Sequence, residues 1–362
     1  MPAGQPEELT LTRVASFPHL RALAWCDDVL YASRDYNLLR ARISGSENNA
    51  NNFEWQHVGR YRPVWWRNLS TAKRLTSRLF RDGFHALAAL SSGHLVAAVP
   101  GAIVTLAPGE AEFRISHRVL RGTRPLHIAV TADDHIFWGE YFDNPQRDEV
   151  YIYGSTDHGA TWNVAYAFPL GAIRHVHNIV YDEWAKCLWI LTGDNGEECR
   201  ILRVSCDFKT MEVVLSGNQQ ARAVACVPDP DRLFFSSDTP LEPNHLYSLD
   251  GHGTLTELAG LSSSSIYGCR VGEALFFSTM VEPSEVNFER HVNLYGSRDG
   301  QRWQRVLQWK KDRWPMGLFQ YGNAHLPDGH NRSGLLAVTT IGVEHADMET
   351  SLWSIDVSQR NV

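Results

Sequence analysis

The chain has 362 residues, 43 % of them hydrophobic and 21 % charged, with 34 Lys and Arg against 41 Asp and Glu for a net charge of −7. That balance excludes a disordered chain, and the acidic excess excludes nucleic-acid binding by bulk charge. No apolar run reaches the roughly 18 residues of a membrane-spanning helix, and six scattered cysteines without a CxxC pair read as reduced thiols.

The N-terminal run MPAGQPEELTLTR lacks a basic start followed by an apolar core, so no signal peptide is expected and the cytoplasm is the default location. From there the chain is a succession of short runs rich in Val, Ile, Leu, Phe, Tyr and Trp, broken by Gly, Asp, Asn and Pro. Such spacing predicts antiparallel strands, and its period calls for a repeat test. Seven segments fall into one register: LRALAWC from Leu20, FHALAAL from Phe84, LHIAVTA from Leu126, VHNIVYD from Val176, ARAVACV from Ala221, IYGCRVG from Ile266 and QYGNAHL from Gln320. Each is followed by a second strand: VLYASR, HLVAAVP, HIFWGEY, CLWILTGD, RLFFSSD, ALFFSTM and LLAVTTI. Outer strands such as EWQHVGRY, FRISHRVL and WNVAYAF complete several units. The expectation is an all-β, seven-bladed β-propeller of four-stranded antiparallel blades, one domain over 1–362. The leftover N-terminal run LTLTRVASF is expected to close the ring beside LWSIDV of the last blade.

Between the first and second units, the stretch at about 62–82 departs from the strand pattern. Seven cations (Arg60, Arg62, Arg67, Lys73, Arg74, Arg78, Arg81) lie between positions 60 and 81 with no acid. Ser70 reads as an N-cap, Ala72, Leu75, Leu79 and Phe80 share a helical face, and Gly83 ends the run. The segment is expected to be a short basic helix, either a solvated inter-blade connection or a lid over an anionic ligand.

The run YGSTDHGATW matches the Asp-box, or bacterial neuraminidase repeat, at Ser155, Asp157, Gly159 and Trp162. A second copy follows Tyr295-Gly296 as Ser297, Asp299 and Trp303; a third, at Ser205 and Asp207, lacks the tryptophan, and a long turn ending in Glu54-Trp55-Gln56 resembles an expanded fourth. Ser and Asp side chains bonding local N–H groups, a Gly for positive φ and a Trp for packing describe a turn, not a reaction.

Chemistry is expected at the axis. The second position of each aligned first strand gives Arg21, His85, His127, His177, Arg222, Tyr267 and Tyr321, a ring without one apolar member. Acids follow the second strands, notably Glu140, Asp194, Asp238, Glu242, Glu282 and Glu344. This composition suits β-elimination from a uronic-acid glycoside. A cation must neutralise the carboxylate beside the acidic carbon, for which Arg222 or Arg21 serves. A base near neutrality must take the proton, for which His127 or His177 serves, and Tyr267 can protonate the leaving oxygen. Arg21, His85, Tyr321, Glu140, Asp194 and Glu242 are the remaining candidates to hold substrate. Alternatively His85, His127 and His177 offer a ligand set for a divalent metal.

A seven-bladed propeller with His, Tyr and Arg converging on its channel resembles polysaccharide lyases such as ulvan lyases and rhamnose–glucuronate lyases. It also resembles oligogalacturonate lyases, which hold a metal through histidines. The resemblance implies an anionic oligo- or polysaccharide as substrate. Sialidases share the Asp-box, but their Phe-Arg-Ile-Pro motif is met here only by Phe113-Arg-Ile-Ser116, on an expected outer strand. Two other readings stand beside the lyase. One is a glycoside hydrolase, sialidase-like or an inverting or retaining enzyme that pairs Glu140 with Asp194 or Glu242. The other is a non-catalytic glycan- or protein-binding propeller presenting Trp65, Trp66, Trp138, Trp184 or Trp314.

Overall fold

Seven sheets form around a common axis, five of them from four antiparallel strands that follow one another outward. The computed structural model describes residues 8–43, 53–71 and 73–358. The architecture is a seven-bladed β-propeller. The fourth blade shows the plan, with Val176–Asp182 innermost, then Cys187–Thr192, Arg200–Ser205 and, outermost, Met211–Ser216. Second strands such as CLWILT, ALFFST and LLAVTTI are buried along their whole length. Both of their faces meet a neighbouring blade, so they read as continuous apolar or small runs.

Seven apolar clusters hold the ring, one at each junction of successive blades. Between the third and fourth blades, for example, Phe137, Val150 and Ile152 pack on Ile179, Leu188 and Ile190. Each fully buried Leu or Phe there contributes about 1.5–3 kcal/mol. Because the apolar clusters among the described residues lie between blades, the axis is left to polar side chains. The N-terminal strand Glu8–Pro18 completes the seventh blade against Glu349–Ser358, with a bulge between Arg13 and Ala15. No helix among the described residues is long and apolar enough to cross a membrane.

The Ser155–Trp162 run is a turn between the outer two strands of the third blade. Ser155 Oγ accepts from the Gly159 N–H (3.0 Å), and Asp157 Oδ1 accepts from the Thr161 N–H (2.9 Å). The turn fastens the third blade to the second. Trp162 Nε1 donates to Ser116 Oγ (3.0 Å), His158 stacks on His94 at 4.5 Å, and a Cβ on Gly159 would meet Val96 at 2.7 Å. Ser155 stands opposite Ile136, Ser205 opposite Cys187 and Ser297 opposite Leu275, so all three turns lie where second strands begin. That is the face away from Glu140 and Asp194. The expanded turn before Glu54 falls mostly outside the described residues.

Two short helices, α1 (Trp65–Ser70) and α2 (Arg74–Phe80), occupy the basic segment. Ser70 does not start a helix. It ends α1, with its hydroxyl on the Arg67 carbonyl and the Asp82 carboxylate. The expected apolar face is also absent: Leu79 and Phe80 are exposed, Leu75 is half-buried, and Ala72 lies outside the described residues. Arg78 is the buried residue of α2, because its guanidinium reaches Asp312, Asp347 and the Phe319 carbonyl. Ion pairing, not apolar burial, docks these helices on the propeller.

One strand departs from the four-strand plan. Asp328–Asn331 runs parallel to Arg21–Asp27 on its axial side, pairing from Ala24↔Asp328 to Asp27↔Asn331. Gly329 permits the approach: its φ is +90°, and a Cβ would lie 2.2 Å from the Trp25 carbonyl oxygen.

Candidate functional site

First strands begin at the face where second strands end, so those two places meet around the axis. The level of each first-strand residue follows from what faces the fifth residue of its second strand. Arg21 faces Ser33, Ala86 faces Ala98, Asn178 faces Leu191, Ala225 faces Ser236, Tyr267 faces Ser278 and His325 faces Thr339. His127 stands two residues before Ala129, the partner of Phe137, and is therefore level with Gly139. Arg21, His127 and Tyr267 share one level. His85 precedes Ala86, His177 is the extra residue of a bulge between Val176 and Asn178, Arg222 precedes Ala225, and Tyr321 precedes His325. The expected ring thus divides into two clusters.

The first cluster sits at the mouth, on blades three to five. His175 Nδ1 lies 3.0 Å from the Phe142 carbonyl oxygen, and His177 Nδ1 lies 2.9 Å from that of Ala223. A carbonyl only accepts, so each Nδ1 carries a hydrogen and each neutral ring presents a lone pair at Nε2. These two Nε2 atoms are 2.9 Å apart, and Asp194 Oδ1 is 3.3 Å from that of His177 and 3.6 Å from that of His175. Three electron-pair donors converge, and such an arrangement requires a proton or a metal cation among them. The donor set fits a divalent metal: the donor atoms lie within 4.8 Å of one another, and ligands about 2.1 Å from one centre stand about 3 Å apart at right angles.

Guanidinium groups flank this set. Arg174 reaches Asp194 at 3.2 Å, and Arg222 reaches Asp194 at 3.3 Å and Asp238 at 3.8 Å. Burial favours the neutral form of Asp194, but when a proton is the cation held among the three, the hydrogen bonds and positive charge it gives the His175–His177 pair more than reverse this and hold the carboxyl far below the usual range. Asp238 goes the other way. Burial, opposed by Arg222 and reinforced by Glu282 and Asp194, pushes it up to about 7, and its Oδ1 has no hydrogen-bond partner. Tyr141 leans on the His175 ring at 4.4 Å, and burial with Asp238 nearby pushes its hydroxyl up to about 12.

The second cluster lies deeper, on the axis. Arg21 Nη1 contacts His85 Nδ1 (3.1 Å), whose Nε2 lies 2.6 Å from the Arg81 carbonyl oxygen. His127 Nδ1 lies 3.0 Å from Asp328 Oδ2 across the channel, on the added strand. Tyr267 sits edge-on to His325 at 4.7 Å and to His127 at 6.3 Å. Arg124 completes the group, and a cavity of about 60 Å³ opens between Arg21, Arg124, His127 and Tyr267. His85, His127 and His177 are therefore not a common metal set. His85 has both ring nitrogens engaged, and His177 belongs to the mouth.

Other candidates are placed elsewhere. Both Glu140 oxygens are held by Arg121 and one also accepts from the Tyr151 N–H, which makes Glu140 a fastener of its own blade. Glu242 is exposed on a loop, and Tyr321 is half-buried where it senses Glu282 and Arg81. Trp138 is fully buried and offers no platform, whereas Trp65 and Trp184 are exposed. Arg114 of the Phe-Arg-Ile-Ser run lies on the outermost strand of the second blade, paired with Glu110. A cleft of about 320 Å³ lies beside α1 between Asp35, Asn37, Tyr61 and Asn68, away from both histidine clusters. Its lining includes Asp35, Arg60, Tyr61 and Arg62 but no histidine, whereas the mouth brings two imidazoles and a carboxylate together, so the mouth is the stronger site.

His175, Arg174, Arg124 and His325 escape a one-register reading. A signal for the first is His175-Val176-His177, two imidazoles one residue apart at the entry to the fourth blade's inner strand.

No protein-family model matches the chain, and no curated protein matches it. Solved structures match over nearly its whole length. An oligogalacturonate lyase in complex with manganese superposes with a TM-score of 0.58 at 10 % identity, covering 98 % of this chain and 99 % of that one. A chain of a mitotic checkpoint complex gives 0.57 at 8 % identity, covering 98 % and 97 %. The WD40 β-propeller domain of Doa1 gives 0.54 at 10 % identity, covering 96 % and 97 %. At these identities the likeness is one of fold, and a fold shared by an enzyme and a checkpoint assembly does not select a function.

Proposed function

We propose that this protein is a lyase that cleaves a uronic-acid-containing oligo- or polysaccharide by β-elimination at the mouth cluster. The observation that carries the reading is the convergence of His175 Nε2, His177 Nε2 and Asp194 Oδ1 beside two guanidinium groups and a carboxyl poised near neutrality. His175, His177 and Asp194 would hold a divalent metal, which when bound supplies positive charge to neutralise the substrate carboxylate. The manganese-bound lyase of similar fold supports that choice.

The chain's own groups divide the remaining work. Arg222 shares its charge with Asp194 and Asp238 and is placed to bind the uronate carboxylate, which makes the adjacent C–H more acidic. Asp238 as carboxylate takes that proton, the C–O bond to the leaving sugar breaks, and the electron pair forms the new C=C bond. Tyr141, which keeps its proton to about pH 12, gives it to the leaving oxygen. These roles differ from those expected for His127 and Tyr267, because both border a cavity of about 60 Å³ that is too small for a sugar ring. His177 is likewise committed to the converging set.

The test is incubation with a panel of uronate-containing oligosaccharides, with and without added manganese, following the ultraviolet absorbance of an unsaturated uronate. Appearance of that absorbance, lost on chelation, is the expected result. New reducing ends without absorbance would turn the reading to hydrolysis, and glycan binding without turnover to a binding propeller.

A further inference from the structure

The axial cluster has a charge problem that the mouth does not. Arg21 and Arg124 lie deep in the channel, and neither has a carboxylate within ion-pair distance among the described residues. Arg21 contacts only the neutral acceptor nitrogen of His85, and its Nε is an orphan donor. Arg124 makes no hydrogen bond among the described residues. The acid nearest this level, Asp328, is committed to His127 at 3.0 Å. Burial and the charge of Arg21 pull the Arg124 guanidinium down to about 9, and burial with both arginines holds His85 well below its ordinary range. Both side chains are only partly exposed, and two like charges that face one small cavity without a counter-charge repel each other at reduced dielectric.

The space between them is suited to what is missing. A cavity of about 60 Å³ has room for about two waters or one small oxyanion. Tyr267 borders it with a hydroxyl that makes no hydrogen bond among the described residues, and Leu126, Val224 and Ile266 supply an apolar wall of low dielectric. Guanidinium donors and a phenol facing a small, largely apolar void form a built receptor for negative charge.

We infer that the axial cavity is a binding site for one small anion, of carboxylate or inorganic-oxyanion size, held between Arg21 and Arg124. The inference does not rest on the lyase reading. The anion would act as a central counter-ion, joining the first blade to the segment that leads into the third.

The full chain, dialysed into a buffer whose anion is too large for the cavity, is titrated with sodium acetate or sodium phosphate at constant ionic strength. Thermal unfolding should show a saturable rise of about 2–5 °C with at least one of them. Arg124→Met should abolish the rise while raising the melting temperature in the anion-poor buffer, because it removes the repulsion. No saturable rise in the wild type, or an equal rise in Arg124→Met, would overturn the site. If Arg124→Met does not fold, bromide-soaked wild-type crystals decide the matter. An anomalous peak between the two guanidinium groups supports the site, and its absence at that place refutes it.

Discussion

The mouth and the axis of this propeller are built from the same residue types, yet they differ in how charge is balanced. At the mouth, Arg174 and Arg222 meet Asp194, and Arg222 also approaches Asp238. At the axis, Arg21 and Arg124 meet no acid among the described residues. The difference follows the short loops just past the second strands. Blade four places Asp194 two residues past its second strand and blade five places Asp238 immediately past, whereas blades two, six and seven place Pro100, Met280 and Gly342 there, Asp35 of blade one lines the cleft beside α1, and the Glu140 of blade three is consumed by Arg121. Inner-strand cations therefore become catalytic candidates or anion receptors according to loops outside their own strand.

Four changes would break or sharpen that contrast. The largest effect is expected from Asp194→Asn, which keeps the shape of the mouth and removes its central charge. The rate of unsaturated-uronate formation should fall by about 10³-fold or more. A loss under tenfold would remove the mouth from consideration. Next comes Asp238, whose folded-state value of about 7 lies above the roughly 3.9 of an unfolded Asp. The folded state holds this proton more tightly. Its contribution, on the order of 3 kcal/mol, is complete below about pH 4 and is lost as pH rises through about 7. Turnover should rise over the range in which that stability falls. In Asp238→Asn, urea unfolding at pH 5 and pH 8 should lose most of this difference, and turnover should vanish; an unchanged difference would mean an ordinary carboxyl.

Gly329→Ala perturbs the axis instead. A Cβ against the Trp25 carbonyl at positive φ should cost about 2–3 kcal/mol in urea unfolding. Turnover by the folded fraction should be preserved, and a parallel loss of turnover would show that the clusters are not separable. The smallest effect is expected at the opposite face. Ser116→Ala removes the hydroxyl partner of Trp162 and should cost about 1 kcal/mol in the same measurement, with turnover and anion response unchanged.

The blade count, the four-strand plan and the closing strand were legible because buried second strands carry an unbroken apolar signature. The site was legible only in part. Arg21, His127 and Tyr267 share one level because the bulges in the strands of Arg21 and Tyr267 fall beside these residues and not on them. The bulge at His177 adds a residue that a period of two does not register, and the inner strand of the last blade is so short, Asn323–His325, that His325, four residues after Tyr321, occupies the level the register assigns to Tyr321. Arg174, His175 and Arg124 stand on approaches to strands, where position depends on loop path and not on alternation. The axial strand Asp328–Asn331 is polar and contains a glycine, so propensity argued against it.

The pairing of Glu8–Pro18 with Glu349–Ser358 also bears on how the molecule is made. Partners such as Leu9 and Val357 are almost the whole chain apart, so their meeting closes the largest loop available and comes late in folding. During synthesis the first strand must wait, unpaired, until the last blade has emerged. A nascent chain of six finished blades presents two bare apolar blade faces besides its unpaired first strand, and it is then, not in the finished ring, that this protein is most exposed to mispairing with its neighbours.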